Sequence, residues 1–423
     1  MHGYQVTRLF DVLIMADDFT GACDTGAQFA STGGPCRVVI EDADAPVSGD
    51  DTHALRHECP GASVCVVDTE TRHASAAQAA AIVRRVSSAA ATDGSGWSGL
   101  VYKKIDSTLR GNIAAEIEAL ARVFPERLLV VAPAFPATGR TTRGGLCLVN
   151  GRPVDETEFA RDVRVPVRSA RIADLLGFAH SRHCGPAELA GIFRGARRGA
   201  AFVVDAESDA DLDRVASLVA GEPARYIAVG SAGLAAALAR LSGHADAGPQ
   251  QPPAPVAGPR GAGAPPVLGL VGSLSERSRR QAEVLRGRGG VTAVTLADAG
   301  RAIEVLAGGG QALVMTSPPL GGEAPLRFAR ALGAVARRAV EEAAGLRLFL
   351  TGGDTALAAV RALGACAVDV HRQIVPGVPA ITIPALLAGR RLTVTAVTKA
   401  GGFGDDETMV TAFRRLREER CWR

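Results

Sequence analysis

Between His244 and Pro266 the chain reads HADAGPQQPPAPVAGPRGAGAPP, and this stretch constrains the fold more than any other. Its prolines withdraw backbone donors, its glycines raise the entropy of ordering, and no apolar period survives, so neither a helix nor a strand ladder can run through it. It parts the 423 residues into two bodies, each long enough to bury its own core. Chains beyond about 250–300 residues usually divide in this way. We expect domains at 1–243 and 267–423, with 244–266 as the linker.

On both sides, short β-branched or leucine-rich runs alternate with alanine-rich stretches, the pattern of βα units. The expected fold class is α/β, with a mostly parallel sheet flanked by helices in each domain. Strands are expected at 12–15, 38–40, 63–67, 100–104, 128–132, 202–204 and 226–229, then at 267–271, 293–296, 312–315, 346–350 and 392–398. Polar residues follow them: Asp17 and Asp18, Asp68, Asp106, Asp205, Ser231, Ser273, and Thr351 with Gly352 and Gly353. In open α/β sheets ligands bind at the carboxyl ends of the strands, where helix N-termini point their free amides into the crevice. The same residue types cap helices there, so the pattern locates an edge without assigning a role to any one residue.

Composition removes several function classes. Lys and Arg number 47 against 44 Asp and Glu, a net charge of +3 with no basic stripe to neutralise phosphates, which argues against nucleic acid as a partner. No apolar run reaches the length of a membrane span. The opening MHGYQVTRLFDVLIMADD lacks a small-residue cleavage site, and the eight cysteines form no CxxC pair, so we expect reduced thiols in a cytoplasm. His53, His57 and Cys59 form the one metal-like grouping. Without a second ligand cluster they read as part of a surface helix, and no metal site is expected.

In the first half, ADDFTGACDTGAQFAST from Ala16 to Thr32 joins an apolar run to a glycine-containing turn and a helix. Two adjacent carboxylates are costly to bury alone, so Asp17 and Asp18 either face water or meet hydroxyls, ammonium groups or a cation. The competing explanation is a capping turn made by Asp17 or Thr20. A second segment, VYKKIDSTLRGNIAAEIEAL from Val101, delivers Lys103, Lys104, Ile105, Asp106, Ser107 and Arg110 at a strand exit, ahead of a helix marked by Ile113, Ile117, Leu120 and Phe124. Its cations suit a carboxylate and Asp106 suits a proton acceptor, as in phosphoryl transfer. A strand-end ion-pair network explains the same residues. Arg72, beyond the strand ending near Asp68, offers a bidentate fork. APAFPATGRTTRGG, from Ala132, reads as a rigid ligand-facing loop or an irregular connector.

The second half carries glycine in place of charge. VGSLSERS contains Ser273, TGGDTALAAV contains Gly352, Gly353, Asp354 and Thr355, and TKAGGFGDDE contains Gly401 and Gly402. Turns of this kind let backbone amides approach phosphate oxygens. None is a Walker loop or a GxGxxG fingerprint, which argues against a nicotinamide-dependent dehydrogenase.

Taken in order, ADDFTGACDTGAQFA, KKIDSTLRGNI, APAFPATGRTT, GSAGLA, GSLS, TGGDTA, PGVP and TKAGGFG resemble the four-carbon acid sugar kinase family over nearly the whole chain. The resemblance implies an ATP-dependent kinase of a sugar acid, with an N-terminal substrate domain and a C-terminal nucleotide domain. It implies that Asp18, Arg72 and the segment from Lys103 to Ser107 hold the sugar acid, and that Ser273, Gly352 to Thr355, Gly401 and Gly402 hold ATP. Mg2+ is expected with the nucleotide. The stretch from Asp24 to Gln28, DTGAQ, looks more like the D-threonate branch than the 3-oxo-tetronate branch. D-threonate is therefore the expected substrate, with D-erythronate, L-threonate and 3-oxo-tetronate as alternatives and a non-catalytic sugar-acid sensor as the alternative of another class. Cys23 within the first motif departs from the family pattern. Asp106 is the favoured base over Asp18, because flanking cations keep it ionised. A homodimer is the expected assembly.

Overall fold

The computed structural model describes residues 11–30, 36–41, 64–91, 98–162, 164–176, 182–241, 264–316 and 324–418. The chain forms two compact units that meet in sequence at Pro249 and Gln250. His53, His57 and Cys59, and most of the Pro/Gly stretch, lie outside the described residues.

In the first unit, eight strands make an all-parallel sheet. They are β1 (Val12–Ala16), β2 (Cys36–Ile40), β3 (Val64–Asp68), β4 (Leu100–Lys104), β5 (Leu128–Ala132), β9 (Arg182–Cys184), β10 (Ala201–Val204) and β11 (Tyr226–Gly230), in the order β2-β3-β1-β4-β11-β5-β10-β9. The runs VLIMA, VCVVD and LLVVA are buried along their full length, which is what helices on both faces of a parallel sheet demand. Three further strands, β6 (Arg140–Arg143), β7 (Leu146–Val149) and β8 (Arg152–Pro153), form a small antiparallel sheet. The APAFPATGRTTRGG segment is thus a 3-10 turn, Pro136–Thr138, leading into β6.

The second unit orders its strands β13-β14-β12-β15-β18-β17-β16. Their ranges are β12 Val267–Val271, β13 Thr292–Thr295, β14 Gln311–Met315, β15 Arg347–Thr351, β16 Ala367–Val375, β17 Val378–Leu387 and β18 Arg390–Lys399. Neighbours from β13 to β18 are parallel, while β18-β17 and β17-β16 are antiparallel. The expected strands all occur, with ends shifted by a few residues at most. Strands β16 and β17 were not expected: charges at Asp369 and Arg372 and prolines at Pro379 and Pro384 disguise them. Pro379 sits where the β16–β17 register is irregular, a position that does not require a backbone donor.

Each unit has its own core, one built on β1, β3, β4, β5, β10 and β11 and the other around Phe349 and Phe413, whose ring centroids are 5.8 Å apart. Among the described residues no helix is long and apolar enough to cross a membrane.

Candidate active site

Strands β3, β1 and β4 lie side by side with Ala16 level with both Asp68 and Lys104. Their three exit loops therefore leave one edge together. Arg72 forks onto Asp17, Nε to Oδ2 at 2.8 Å and Nη2 to Oδ1 at 2.9 Å, and Nη2 also donates to Asp18 Oδ1 at 2.8 Å. The same Nη2 stands 3.9 Å from Asp106 Oδ1. Arg110 donates from Nε to Asp106 Oδ2 at 2.9 Å, from Nη2 to Oδ1 at 3.2 Å, and from Nη1 to Asp162 Oδ2 at 3.2 Å. Its guanidinium also lies 5.3 Å from the centre of the Phe159 ring. Two guanidiniums and four carboxylates thus share one network.

Burial alone would raise the carboxyl pKa values, but the guanidiniums outweigh it. Asp17, 2 % exposed, is held below the usual range by Arg72, and Asp106 is held well below it by Arg110 and Arg72. Asp106 Oδ2 also accepts from the amide and hydroxyl of Thr108. Asp18 caps the helix Phe19–Ala30: its Oδ1 accepts from the Gly21 amide at 3.1 Å and its Oδ2 from the Thr20 hydroxyl at 2.8 Å. The capping residue is therefore Asp18, and its carboxylate serves the cap and the cluster together.

Lys103 and Lys104 part company. Lys103 is fully enclosed, its ammonium 3.2 Å from Glu116 Oε2 and donating to the carbonyls of Lys104 at 3.1 Å and Met15 at 3.4 Å. Ile105 points into the core. Both were expected to bind substrate; the Lys103 side chain is paired with Glu116 and that of Ile105 packs in the core, because a charge so deep must be paired and an isoleucine there fills volume. Lys104 is 5 % exposed, yet among the described residues its ammonium has no hydrogen-bond partner. A Cβ built on Gly21 would lie 2.9 Å from it and 2.4 Å from Asp18 Oδ1, so the ammonium sits beside the Asp18 cap. Ser107 is buried and its carbonyl receives the Cys147 thiol at 3.4 Å. Sequence reasoning missed Asp162, whose partner Arg110 lies far from it in the chain, and Asp24, which burial pushes up to about 6 despite Lys104.

In the second unit, the three glycine motifs converge on Ser273. Gly352, with φ at 102°, is so close that a Cβ there would lie 3.2 Å from the Ser273 amide, and a Cβ on Gly401 would lie 2.1 Å from Ser273 Oγ. Only glycine admits either approach. Gly353 opens the helix Gly353–Ala362, with Asp354 in its first turn. Thr355 is buried against Gly272. Gly402 is exposed. Ser275 Oγ donates to the Gly401 carbonyl at 2.8 Å. The arrangement is a glycine-walled turn beside a helix N-terminus, a geometry suited to phosphate oxygens. A residue absent from the expected set holds this turn from behind: Lys399, at the end of β18, is fully buried under it. Its signal was a lysine ending an apolar strand just before paired glycines.

Comparison with known proteins places the chain in a family. A family model described as a sugar-binding N-terminal domain matches residues 12–238, and one described as a nucleotide-binding C-terminal domain matches 268–409. A D-threonate kinase of Bordetella bronchiseptica is 37 % identical over 96 % of this chain and 98 % of its own, and a D-threonate kinase of Salmonella typhimurium 32 % identical over 97 % and 99 %. A solved structure from Salmonella typhimurium LT2 shares the fold, with a TM-score of 0.73 at 21 % identity over 95 % of this chain and 98 % of that one. With both family models matched in chain order and relatives of this similarity along its whole length, the chain belongs to the four-carbon acid sugar kinase family.

Proposed function

We propose that this chain is an ATP-dependent kinase converting D-threonate to D-threonate 4-phosphate. One observation carries the choice of substrate: three D-threonate kinases align at 32–37 % identity over 96–97 % of the chain, against 29 % for a D-erythronate kinase and 28 % for a 3-oxo-tetronate kinase. The first unit takes the sugar acid and the second the nucleotide.

Lys104, buried without a hydrogen-bond partner among the described residues, receives the substrate carboxylate. The carboxylates Asp17, Asp18 and Asp106, oriented by Arg72 and Arg110, accept hydroxyls of the polyol. Asp18 is the better proton acceptor of the two candidates, because its Oδ2 takes a single donor, Thr20, whereas Asp106 is filled by Arg110 and Thr108 and its proton affinity is depressed. The hydroxyl oxygen forms its bond to the γ-phosphorus as the bond to the β,γ-bridging oxygen breaks, ADP leaves, and the hydroxyl proton passes to Asp18. Asp106 then serves to hold Arg110 in place.

Ser273, Gly352, Gly353, Thr355, Gly401 and Gly402 shape the phosphate turn. Mg2+ would be carried on the nucleotide's phosphates, with Asp354 as its protein carboxylate. Mg2+ supplies charge neutralisation on the transferring group. Free buried thiols at Cys23, Cys65 and Cys147 fit a cytoplasmic protein, and a homodimer, measurable by light scattering, is the assembly we expect.

The test is an ATP-consumption screen over the tetronic acids, followed by Asp18→Asn. We expect D-threonate to give the highest kcat/KM, and the variant to lower kcat by about 10² to 10⁴ with KM little changed. Turnover within a few fold of wild type in folded Asp18→Asn protein removes Asp18 as the base.

A further inference from the structure

The ammonium of Lys399 donates to the carbonyls of Ala400 at 2.9 Å, Gly401 at 2.8 Å and Phe403 at 3.3 Å, and to Ser278 Oγ at 3.2 Å. Among the described residues no carboxylate pairs with it. A lone buried ammonium is costly, and a fold tolerates one only where acceptors surround it. The turn is pulled the same way by its neighbours: Ser275 and Ser278 donate to the Gly401 carbonyl, and Gln281 Nε2 to the carbonyls of Phe403 and Asp405. The carbonyls of Ala400, Gly401, Phe403 and Asp405 are thus drawn inward, while the Gly401 and Gly402 amides donate to no acceptor among the described residues.

We propose that Lys399 is a positioning residue for the nucleotide's phosphates, orienting the Gly401–Gly402 turn from beneath and adding an uncompensated positive charge behind its amides. This rests on the reading of the second unit as the nucleotide site. Aligned peptide dipoles and a fixed cation reinforce one another in a site of low dielectric. Burial, with some help from Arg277, lowers the ammonium to about 7, whereas three carbonyl acceptors favour the protonated form, which alone has three N–H donors. An incoming polyphosphate therefore completes a site that is electrostatically unbalanced without it. Of the charged groups on the elements around Lys399, Asp406 pairs with Arg277 and Arg280, Glu407 with Arg288, and Asp405 accepts from Thr408.

The experiment measures binding of ATP, ADP and adenosine to wild type, Lys399→Met, Lys399→Arg and Gly401→Ala by calorimetry. Lys399→Met is expected to weaken ATP by roughly 10- to 100-fold, the worth of one close charge on an ionised ligand, while adenosine changes less than about threefold. Lys399→Arg is expected to restore part of the loss. Equal losses for ATP and adenosine would mean a purely structural role and overturn the proposal. A Gly401→Ala variant that binds ATP as tightly as wild type overturns the nucleotide-site reading itself, whereas sensitivity to Gly401→Ala with indifference to Lys399→Met overturns this inference alone. If Lys399→Met does not fold, wild-type ADP affinity is followed from pH 7 to 9, above the phosphate's own titration near about 6. It should fall by roughly tenfold as the ammonium loses its proton, with adenosine unaffected. A flat ADP profile overturns the proposal.

Discussion

The two units bury charge in opposite ways. At the edge of the first, most deep charges have an opposite partner: Arg72 with Asp17 and Asp18, Arg110 with Asp106 and Asp162, Lys103 with Glu116. At the edge of the second, a solitary ammonium is surrounded by carbonyls and hydroxyls. Paired ions fix geometry while leaving the local field near balance, which suits a polyol that carries a single carboxylate. A solitary cation leaves a net field, which suits a polyanion. The difference teaches that the charged motif is the stiffer site and the glycine motif the more strongly polarised one.

Breaking a pair in the first unit should have the largest effect. Arg72→Met leaves Asp17 buried without its partner and is expected to cost about 3–5 kcal/mol, read as a fall in the denaturation midpoint, with Asp17→Asn on top recovering part of the loss. A cost under about 1 kcal/mol would show that the pair does not organise the site. Next, Asp106→Asn frees Arg110 while leaving Asp162 to hold it, so KM for the sugar acid should rise about tenfold with kcat changed far less. The reverse split, a kcat collapse at constant KM, would return the base role to Asp106.

The two units should also differ in pH dependence, each responding in its own window. Asp24 has a folded pKa of about 6, raised by burial above its ordinary value of 3.8, so between those values the native state holds a proton that the unfolded chain has released. Stability from this group falls as pH rises through that window. Lys399 has a folded pKa of about 7, lowered by burial from its ordinary value of 10.5, so the unfolded chain binds more protons there and stability rises with pH from about 7 to 10.5. Asp24→Asn should flatten the first slope and Lys399→Met the second, in denaturation series across each window. Slopes unchanged by these substitutions would mean that neither group titrates as its burial implies.

The strands of both units were legible because an apolar run bounded by polar residues is a local signal, and a parallel sheet buried on both faces leaves its strands almost purely apolar. Strands β16 and β17 were not, since antiparallel pairing admits charge and proline that break the run. The site segments were legible for the same reason as the strands, because they follow them. The roles within those segments were not. Lys103 and Lys104 look alike in the sequence, and strand alternation says only that they point to opposite faces.

What the sequence by itself determined is the alternation of strand and helix, the division at the Pro/Gly stretch, and the gathering of polar residues at strand ends, each a property of neighbouring residues. Only the tertiary structure decided that Lys103 meets Glu116 while Lys104 meets the Asp18 cap, that Arg110 reaches Asp162, and that Lys399 lies beneath two glycines with no carboxylate among the described residues to answer it. A buried charge takes its chemistry from whatever the sheet order brings within hydrogen-bond reach, and that order joins segments far apart along the chain.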